Sequence, residues 1–593
     1  MINAKIVKIF YQMAEYFTMQ DVAFKPQAYS RAARFIEPME EDLEEVYKEG
    51  GLKALMEVEG IGQGLAEKIE EYIKTGKIEE YEKQKKECPV DLEALAGIEG
   101  LGPKMIKTLY EKLGIKTLKD LEKAAKTGKI HDLPRFGKKV EQNILRGIEF
   151  SKSGQGRFTL GMILPIARRF EQRLGELDSI SQAIAAGSIR RMKETVGDID
   201  ILVISNNSSK VMDYFCSMAE VEKIIAKGET KSSVRLDLGL DADIRVVPKE
   251  SFGAALQYFT GSKDHNISLR KIAQGKGLKL NEYGVFSAKG GSASGGKGKK
   301  QIAGKTEEEV YKALGLEYVP PELRENTGEI EAAFLRQRAD QGKRDGLPRL
   351  IELEDIKGDL HCHSDWDGGE NSISEMAQAA GNMSYQYIGI SDHTKFLRIE
   401  NGLDEKQIAR RNKEIDKLNA KFKNFRILKG VEANILNDGT IDIEDETLAS
   451  LDYVIAGIHS TFKMKKGEMT ERMIRAMKNP HVDIISHPTG RLIGRRDEYQ
   501  LDFEKILKVA KETGTVLEIN SYPDRLDLND RNIRRAKEAG VRMIINTDSH
   551  HRAQLGLMEY GVAQARRGWA EKKDIINTMG YEELIKFLKT HKK

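Results

Sequence analysis

The sequence predicts a multidomain protein of the α+β and α/β classes, with a helical N-terminal part, a mixed central part and a C-terminal closed barrel. Three patterns carry this prediction. Up to about residue 150, short amphipathic helices alternate with glycine turns. From about 155 to 318, helical and strand patterns alternate. After Leu350, amphipathic segments separate seven apolar runs, near 356, 387, 426, 452, 482, 514 and 541, as in parallel strands joined by crossover helices.

Length and composition limit the classes of protein that remain. A chain of 593 residues is too long for one hydrophobic core, and its length predicts about four domains. The hydrophobic fraction of 40% and the charged fraction of 32% are typical of a soluble globular protein, and no apolar run reaches the roughly 20 residues of a membrane span. Three cysteines cannot build a disulfide framework, which predicts a cytoplasmic location. The net charge of +3 neither demands nor excludes nucleic acid.

A glycine-turn pattern recurs three times in the N-terminal part. LMEVEGIGQGLAEKI contains Gly60 and Gly62, LAGIEGLGPKMIKTL contains Gly100 and Gly102, and DLPRFGKKVEQNIL is a looser copy that turns at Gly137. The N–H groups that open the following helix can bind an anion. An ordinary glycine-capped helix pair explains a single copy, but three copies favour nucleic acid. The pattern resembles the helix-hairpin-helix element, which implies that the first four glycines contact DNA phosphates without reading bases.

Three aspartates in the central part predict a metal site. Asp198 and Asp200 are two residues apart in GDIDILV, so in a strand both carboxylates point to the same face. Asp243 opens a second strand in DADIRVV, and pairing of the two strands brings the three carboxylates together. Such a cluster can hold two divalent cations, one for a hydroxyl nucleophile and one for a triphosphate. A lone D-x-D is common at solvated strand ends, but Gly187 and Ser188 upstream make the combination specific.

The central motifs resemble the catalytic core of a family X DNA polymerase. The resemblance rests on AGSIRRMKETVGDIDILV, ADIRVVP, YFTGSKDHNISLR and NEYGVFS, and it covers about residues 5–320. It implies a helical lyase-like DNA-binding domain at 1–85, fingers at 86–150, a nucleotidyltransferase palm at 151–255 and a thumb at 256–318.

The same resemblance implies roles for individual residues. Asp198, Asp200 and Asp243 are the expected ligands of catalytic Mg²⁺ or Mn²⁺, with Asp243 assisting deprotonation of the primer 3′-hydroxyl. The residues expected to bind the nucleotide are Ser188, Arg191, Gly197, Tyr258, Phe259, Lys263, Asn266 and Arg270. Lys263 stands where an acidic residue is more usual. A cation there strengthens nucleotide binding, and a solvent-facing lysine is the alternative.

A lyase activity is a further hypothesis for the N-terminal part. GIGQGLAEKIEEY resembles the lyase segment of vertebrate family members, in which Lys68 matches the lysine that forms a Schiff base. This chemistry needs an amine with a lowered pKa among other cations. Because Gly64 replaces a supporting lysine of that pattern, plain DNA binding is favoured for this segment.

Six of the eleven histidines fall just after short apolar runs in the C-terminal part. The runs are IKGDLHCH, YIGISDH, YVIAGIH, VDIISH and MIINTDSH, and RILKGVE ends on Glu432 at the equivalent place. Ligands from successive strand ends predict a polynuclear metal site at the mouth of a barrel. Imidazoles mixed with carboxylates favour Zn²⁺, Mn²⁺ or Fe²⁺ over Mg²⁺, and their number implies two or three ions. Such a centre can activate water against a phosphate ester.

The C-terminal part, about residues 355–575, resembles a polymerase-and-histidinol-phosphatase (PHP) domain, which we assign to 351–593. The resemblance implies a distorted (β/α)7 barrel, a trinuclear Zn²⁺ or Mn²⁺ centre and phosphoesterase activity. The implied ligands are His361, His363, His393, Glu432, His459, His487, Asp548 and His550. Asp367, in SDWDGGENSI, is the expected ninth ligand, although this segment departs from the usual S-D-G order. Arg491, Tyr522 and Arg525 follow strand ends and are either phosphate-binding or solvated loop residues. The polar stretch 319–350 is predicted to be a linker.

The two resemblances occur in the order found in bacterial and archaeal family X DNA polymerases with a PHP domain. They imply a DNA-directed DNA polymerase that fills short gaps during DNA repair, including base excision repair. They also imply a metal-dependent 3′–5′ exonuclease whose centre cleaves abasic sites or removes 3′ phosphates. The expected partners are gapped or primer–template DNA and deoxynucleoside triphosphates, and we expect a cytoplasmic monomer.

Two other classes of function are compatible with parts of the sequence. A small-molecule phosphatase with a DNA- or nucleotide-binding anchor predicts turnover of phosphate monoesters without DNA. A non-enzymatic protein that binds DNA ends predicts loss of catalysis, against which the intact GDID, DADIR and HCH motifs argue. Neither alternative explains the two sets of metal ligands together.

Overall fold

The computed structural model describes residues 2–591 except 21, 37–38, 40, 59, 97, 99–100, 134–135, 138–139, 142–143, 146–147, 149–156, 289–300 and 335–345. The chain divides into two compact units, the first made of residues 1–155 with 494–497 and the second of the remainder. Gly100, predicted to bind DNA, lies outside the described residues.

The first unit is helical. One hydrophobic core is built around Ile6, Phe10 and Ile69, and a second one around Leu95, Ile106 and Leu121. Its helices are Asn3–Met19, Lys25–Ile36, Leu43–Glu57, Gln63–Thr75, Glu79–Glu87, Leu92–Ala96, Pro103–Leu113 and Leu118–Lys126.

Glycine turns precede two of these helices, as the repeats predict. Gly62 is the residue before helix Gln63–Thr75, and Gly102 is the residue before helix Pro103–Leu113. Gly60 has φ of +78°, and a Cβ there would lie 2.1 Å from the Phe35 ring. Only glycine fits this turn, because both the backbone conformation and the close packing exclude a side chain.

The second unit begins with a mixed five-stranded sheet, which corresponds to the predicted palm. The strands of this region are β1 Phe158–Thr159, β2 Ile180–Ala185, β3 Thr195–Val196, β4 Asp198–Ser205, β5 Val221–Lys227, β6 Lys231–Leu236 and β7 Asp241–Val246. The spatial order of the sheet is β2-β4-β7-β6-β5, in which β4 and β7 run parallel, while β1 pairs with β3 separately. The helices are Leu160–Gly175, Gly187–Arg190 and Ser208–Cys216.

The thumb follows and extends further than predicted. It contains strands β8 Leu278–Asn281, β9 Gly284–Ser287 and β10 Gln301–Ala303, and helices Phe252–Thr260, Lys263–Gly275, Glu307–Ala313 and Glu329–Phe334. The prediction of a linker at 319–350 is wrong for 319–334, because Leu323 and Ile330 are buried in the thumb core. Arg324 is buried as well, since its guanidinium pairs with Glu307 at 2.6 Å. Residues 335–345 of the predicted linker lie outside the described residues.

The C-terminal part of the second unit is a barrel of parallel strands, as predicted. Its strands are β11 Gly358–Cys362, β12 Tyr387–Ile390, β13 Arg426–Lys429, β14 Glu432–Asn434, β15 Ile455–Gly457, β16 Ile484–Ile485, β17 Val516–Asn520 and β18 Met543–Asn546. The helices are Ile373–Asn382, Glu405–Asn419, Asp445–Ala449, Lys466–Met477, Phe503–Thr513, Asp530–Ala539, Met558–Arg567 and Tyr581–Thr590.

Seven strand positions close this barrel. Gly430 and Val431 divide the third apolar run into β13 and β14, which explains eight strand segments from seven runs. Ser549, just beyond β18, exchanges backbone hydrogen bonds with His361 and His363 on the first strand. The ends of the sheet therefore meet, and the predicted fold class is confirmed.

The palm, thumb and barrel share hydrophobic cores. Leu526 and Tyr560 of the barrel pack into the palm core, and Trp569 packs into the thumb core. A Cβ at Gly161 of the palm would lie 2.3 Å from Pro523 of the barrel, so the two backbones approach closely there. The second unit is thus one packed body. Among the described helices, none is both long and apolar enough to span a membrane.

Candidate active sites

The three aspartates of the palm meet at one end of the sheet. Parallel pairing of β4 with β7 places Asp200 directly beside Asp243 and Asp198 beside Asp241. Asp198 and Asp200 point to the same face because they are two residues apart in a strand. The predicted convergence of Asp198, Asp200 and Asp243 is therefore what strand pairing produces.

Burial and mutual repulsion act on the carboxylates of this cluster. Burial and the charges of Asp198 and Asp243 raise the pKa of Asp200 to about 7. Burial and Asp243 also raise the pKa of Asp198. Lys231 on β6 supplies a counter-charge, since its Nζ lies 2.8 Å from Oδ2 of Asp243. Carboxylate oxygens alone form a donor set that suits Mg²⁺, so the residues present fit the implied ions.

The turn that precedes these strands requires glycine at 187. Gly187 has φ of +61°, and a Cβ there would lie 2.7 Å from Oδ2 of Asp200. Ser188 is in the short helix that begins at Gly187. The backbone N–H of Ala186 donates to the carbonyl of Asp200 at 2.7 Å, which ties this turn to β4. Gly187 and Ser188 thus lie against the aspartate cluster, and the predicted role of Ser188 in nucleotide binding stays a prediction.

The arginines of this turn are held by the thumb. Arg190 forms a two-nitrogen ion pair with Glu307. Arg191 donates through Nε to Glu325 at 3.0 Å and through Nη1 to the carbonyl of Thr260. These bonds fix the side chain of Arg191, which the family resemblance assigns to nucleotide binding.

The remaining predicted nucleotide residues have differing surroundings. Tyr258 and Phe259 are half-buried and pack edge to face, with ring centroids 5.1 Å apart. Asn266 is buried, and its amide bonds the Tyr258 carbonyl and Gln257, each at 2.7 Å. Lys263 is the exposed first residue of its helix. Gly197, which precedes Asp198, and the half-buried Arg270 complete the set, and all these roles stay predictions.

The predicted ligands of the barrel also converge, with Glu432 at their centre. Four histidine nitrogens lie within 3.3 Å of its two carboxylate oxygens: Nε2 of His361 at 3.3 Å, Nδ1 of His393 at 2.9 Å, Nε2 of His459 at 3.2 Å and Nε2 of His487 at 2.9 Å. The ligands come from successive strand ends, as predicted, because every parallel strand of a barrel ends at the same rim.

Of the other four predicted ligands, three surround the fourth, His363. Its Nδ1 lies 2.7 Å from Asp367 and its Nε2 lies 3.4 Å from Asp548. Its ring stacks on His550 with centroids 4.0 Å apart. Asp367, the doubtful ninth residue of the sequence pattern, therefore lies within the cluster.

Buried polar atoms without partners test whether this cluster fits a metal centre. Nε2 of His361, Nε2 of His363, Nδ1 of His393 and Oε2 of Glu432 are buried and make no hydrogen bond among the described residues. Each such atom costs about 1–3 kcal/mol if nothing satisfies it. Imidazole nitrogens and carboxylate oxygens that face one another suit Zn²⁺ or Mn²⁺, so the donor set fits the implied centre.

The charge states of the groups differ within the cluster. Although burial opposes it, the charges of His361, His459 and His393 hold the pKa of Glu432 well below its usual value. Burial lowers the pKa of His459 to about 4, and burial with the charge of His363 lowers that of His550 to about 3. Although burial opposes it, Glu518 and Glu432 raise the pKa of His361 well above its usual value, and Asp367 raises that of His363 to about 10. Two rings are therefore neutral and two are protonated, and metal binding would displace the protons of the latter.

The backbone is also distorted at two predicted ligands. His487 has φ of +27° and Asp548 has φ of +57°. Residues other than glycine rarely adopt positive φ, and the cost is of order 1–3 kcal/mol each. Such strain is typical of functional sites.

Two further acidic residues of the barrel lie beside the cluster: Glu518, which the sequence reasoning missed, and Asp392, which precedes His393 in the run YIGISDH. Glu518 on β17 pairs with Nδ1 of His361 at 2.7 Å and accepts from the backbone N–H of His487 at 2.8 Å. Asp392 accepts from Ser364 and from Arg411 beside the cluster. The one available signal was a glutamate inside the buried run VLEIN, because a buried charge needs a partner.

Arg525 and Arg491, left open between phosphate-binding and solvated loops, have separate positions. Nε of Arg525 lies 3.6 Å from Oδ2 of Asp548, at the edge of the cluster. Arg491 instead pairs with Glu194 of the palm at 2.7 Å and donates to the carbonyl of Arg525 at 2.9 Å. Arg491 is thus a contact between barrel and palm.

The candidate lyase residue lies in the first unit. Lys68 and the turn glycines Gly60 and Gly62 line one open pocket of about 650 Å³. The Lys68 ammonium lies 3.5 Å from Glu71 and 3.6 Å from Glu80. Two carboxylates therefore flank this amine, whereas the lyase chemistry calls for other cations around it. Its lyase role and the DNA contacts of Gly60, Gly62 and Gly102 stay predictions.

Family models of known proteins match four segments of this chain. Family models described as a helix-hairpin-helix domain and a SAM-like helix-hairpin-helix tandem match residues 1–78 and 92–149. Models described as a DNA polymerase beta thumb and a PHP domain match 255–325 and 359–522.

Curated relatives extend the match to almost the whole chain. A "DNA polymerase/3'-5' exonuclease PolX" of Bacillus subtilis is 40% identical over 587 residues, which cover 98% of this chain and 99% of the relative. A probable phosphatase of Acetivibrio thermocellus is 32% identical over 207 residues, 33% of this chain and 81% of the relative. A probable phosphatase of Thermoanaerobacter is 30% identical over 231 residues, 37% of this chain and 89% of the relative.

Proposed function

The chain belongs to the family X DNA polymerases that carry a C-terminal PHP domain, and we propose on this premise that its two sites act in turn on one primer end. It is a DNA polymerase with 3′–5′ exonuclease activity, and it uses divalent metal ions, DNA and nucleotides. The observation that carries the finer proposal is the presence of two separate ligand clusters in one packed unit, an aspartate cluster in the palm and a histidine-rich cluster in the barrel.

We assign nucleotidyl transfer to the palm cluster. Asp198, Asp200 and Asp243 would hold Mg²⁺ or Mn²⁺, which supplies activation of the primer hydroxyl and neutralises charge on the triphosphate. Because Gly187 has no side chain, the turn leaves room beside Asp200. Arg191 presents its fork to the triphosphate from an orientation fixed by Glu325 and Thr260. The Lys231 ammonium neutralises the charge of Asp243 until DNA and nucleotide bind.

We assign removal of the primer terminus to the barrel cluster. His361, His363, Asp367, His393, Glu432, His459, His487, Asp548 and His550 would hold Zn²⁺ or Mn²⁺, most simply three ions, which supplies an activated water for attack on a phosphodiester. Glu518 fixes the ring of His361, so that Nε2 is the nitrogen that faces the cluster. Arg525 lies where it can bind the phosphate that is cleaved.

The physiological task that fits this combination is repair. We propose that a monomer fills short gaps, as in base excision repair, and trims 3′ ends before synthesis. We also propose that the barrel cluster cleaves abasic sites and removes 3′ phosphates, because the same attack on a phosphate ester serves all three substrates. The two probable phosphatases cover only 33% and 37% of this chain. The almost full-length match to a polymerase/exonuclease therefore favours repair over a small-molecule phosphatase.

One primer assay tests both sites. A 5′-labelled primer in gapped duplex DNA is incubated with Mn²⁺, with and without deoxynucleotides. We expect Asp243→Ala only to shorten the primer and His361→Ala only to extend it. Asp213→Ala and His481→Ala are matched controls outside both clusters and should behave as wild type. If one variant lost both activities while the controls kept them, the assignment of separate sites would be wrong.

A further inference from the structure

Arg567 of the barrel reaches into the polymerase site. It is the last residue of helix Met558–Arg567, and only 2% of its side chain is exposed. Nη2 donates to Asp530 of the barrel at 2.6 Å. Nη1 donates to the backbone carbonyl of Arg191 at 2.8 Å and to Oε1 of Glu325 at 3.1 Å. One buried guanidinium therefore joins the barrel, the palm and the end of the thumb.

The two contacts that Arg567 makes outside the barrel both restrain Arg191. Oε1 of Glu325, which accepts from Arg567, also accepts from Nε of Arg191 at 3.0 Å. Nη1 of Arg191 donates a hydrogen bond to the carbonyl of Thr260. In the part of the chain that the structure describes, no residue accepts a hydrogen bond from Nη2 of Arg191. Arg567 thus restrains Arg191 through its backbone and through its carboxylate partner, and leaves one nitrogen of the fork for a ligand.

Positive charges outnumber negative ones around Glu325, and this excess favours an anionic ligand. Burial raises the pKa of Glu325, but Arg567, Arg191 and Lys193 outweigh burial and hold that pKa below its usual value. The Lys193 ammonium lies 3.8 Å from Oε2. Since Glu325 is shared among three cations, it neutralises Arg191 only in part. Without Arg567, Glu325 would be shared only between Arg191 and Lys193, so it would neutralise Arg191 more fully and compete with a triphosphate.

We propose that Arg567, a residue of the PHP barrel, is a positioning residue for nucleotide binding in the polymerase site. It holds the backbone of Arg191 and draws part of the Glu325 charge away, so that the Arg191 fork stays oriented and cationic for the triphosphate. This inference rests on the proposed role of Arg191 in nucleotide binding. The barrel would then contribute a residue to the polymerase site in addition to holding the exonuclease site.

A second ion pair offers a matched control. Arg168 of the palm pairs through both terminal nitrogens with Glu559, at the start of the same barrel helix. It joins the same two domains but does not contact Arg191. Arg168→Met therefore weakens the junction without disturbing the nucleotide site.

The test measures single-nucleotide incorporation into gapped DNA under single-turnover conditions, giving the maximal rate and the deoxynucleotide concentration at half-maximal rate. For Arg567→Met we expect that concentration to rise about tenfold, equivalent to about 1.4 kcal/mol, while the maximal rate changes less than about threefold. Arg567→Lys keeps the charge but cannot reach all three acceptors, so a smaller rise is expected. Primer shortening reports on folding and should be unchanged in every variant.

The following outcomes distinguish the possibilities. An unchanged nucleotide dependence in Arg567→Met that still shortens primers would overturn the inference. An equal rise in Arg168→Met would also overturn it, because a loosened junction would then explain the effect. If Arg567→Met fails to fold, wild-type behaviour of Arg567→Lys contradicts the inference and an intermediate rise supports it. A wild type that incorporates no nucleotide contradicts the proposed function itself.

Discussion

Oε1 of Glu518 lies 2.7 Å from Nδ1 of His361. Because this contact occupies Nδ1, Nε2 is the nitrogen that faces Glu432 and Asp548, at 3.3 Å and 3.5 Å. The other oxygen of Glu518 accepts from the backbone N–H of His487. One buried carboxylate thus orients two predicted metal ligands from different strands.

Glu518→Gln is expected to weaken the barrel centre. Loss of the carboxylate that orients a ligating histidine lowers metal affinity or activity about 10–100-fold. Primer shortening should fall by that factor at limiting Mn²⁺ and recover partly at high Mn²⁺, while nucleotide incorporation stays unchanged. Glu512→Gln, an exposed glutamate of the same domain, is the control. Full exonuclease activity at limiting Mn²⁺ would contradict the orienting role.

Gly187→Ala is expected to damage nucleotide incorporation. A Cβ at residue 187 would lie 2.7 Å from Oδ2 of Asp200, and φ of +61° disfavours any side chain. Displacement of an Asp200 oxygen should lower the incorporation rate at least about 100-fold, since small misplacements of reacting groups have effects of this size. Gly175→Ala is the control, because a Cβ there meets no atom within 4 Å. Primer shortening by Gly187→Ala should be unaffected, and normal incorporation would refute the steric argument.

Lys231→Met is expected to shift the metal requirement of the polymerase. The Lys231 ammonium lies 2.8 Å from Asp243 and competes with a divalent cation for that carboxylate. Its side chain is 41% exposed, so solvent screening limits the pair to less than about 1 kcal/mol. The Mg²⁺ concentration for half-maximal incorporation should therefore fall by no more than about fivefold. Lys223→Met, on the neighbouring strand, should leave it unchanged, and a higher Mg²⁺ requirement in Lys231→Met would contradict the competition.

Acid is expected to remove the stabilising effect of Glu307. Burial raises the pKa of this carboxyl, but Arg324 and Arg190 outweigh it and lower the pKa from 4.5 to about 2. A lowered pKa stabilises the folded state at pH values above the pKa of the carboxyl in the unfolded chain. This stabilisation is lost as the pH falls through the pKa of the carboxyl in the folded state. The full contribution is about 3 kcal/mol, of which about 2 kcal/mol is lost by pH 3.

The measurement compares wild type with Glu307→Gln by urea unfolding at pH 7 and pH 3. The difference between their free energies of unfolding should shrink by about 2 kcal/mol, because only wild type loses this ionised carboxylate. Glu309→Gln, in the same helix and exposed, is the control. A difference that does not change with pH would show that Glu307 is not ionised in the folded protein.

Local sequence pattern was sufficient to predict which residues converge in the two clusters. Asp198 and Asp200 share a face because they are two apart in a strand, and the barrel ligands converge because parallel strands end at one rim. The prediction of a linker failed at residues 319–334, because their charged side chains suggested exposure to solvent. Arg324 is buried instead, because Glu307, seventeen positions earlier, neutralises it. Composition cannot distinguish a charge that faces water from one that is paired within the fold.

The sequence by itself determined the order of the domains, the barrel of seven strands and the residue types at both clusters. Those features depend on periodicity and on motifs that span a few residues. The tertiary structure alone decided which groups support them. Glu518 meets His361 across 157 positions, and Arg567 meets Arg191 across 376. Such pairs depend on how strands and helices pack around shared cores, and no local pattern of charge or hydrophobicity encodes that packing.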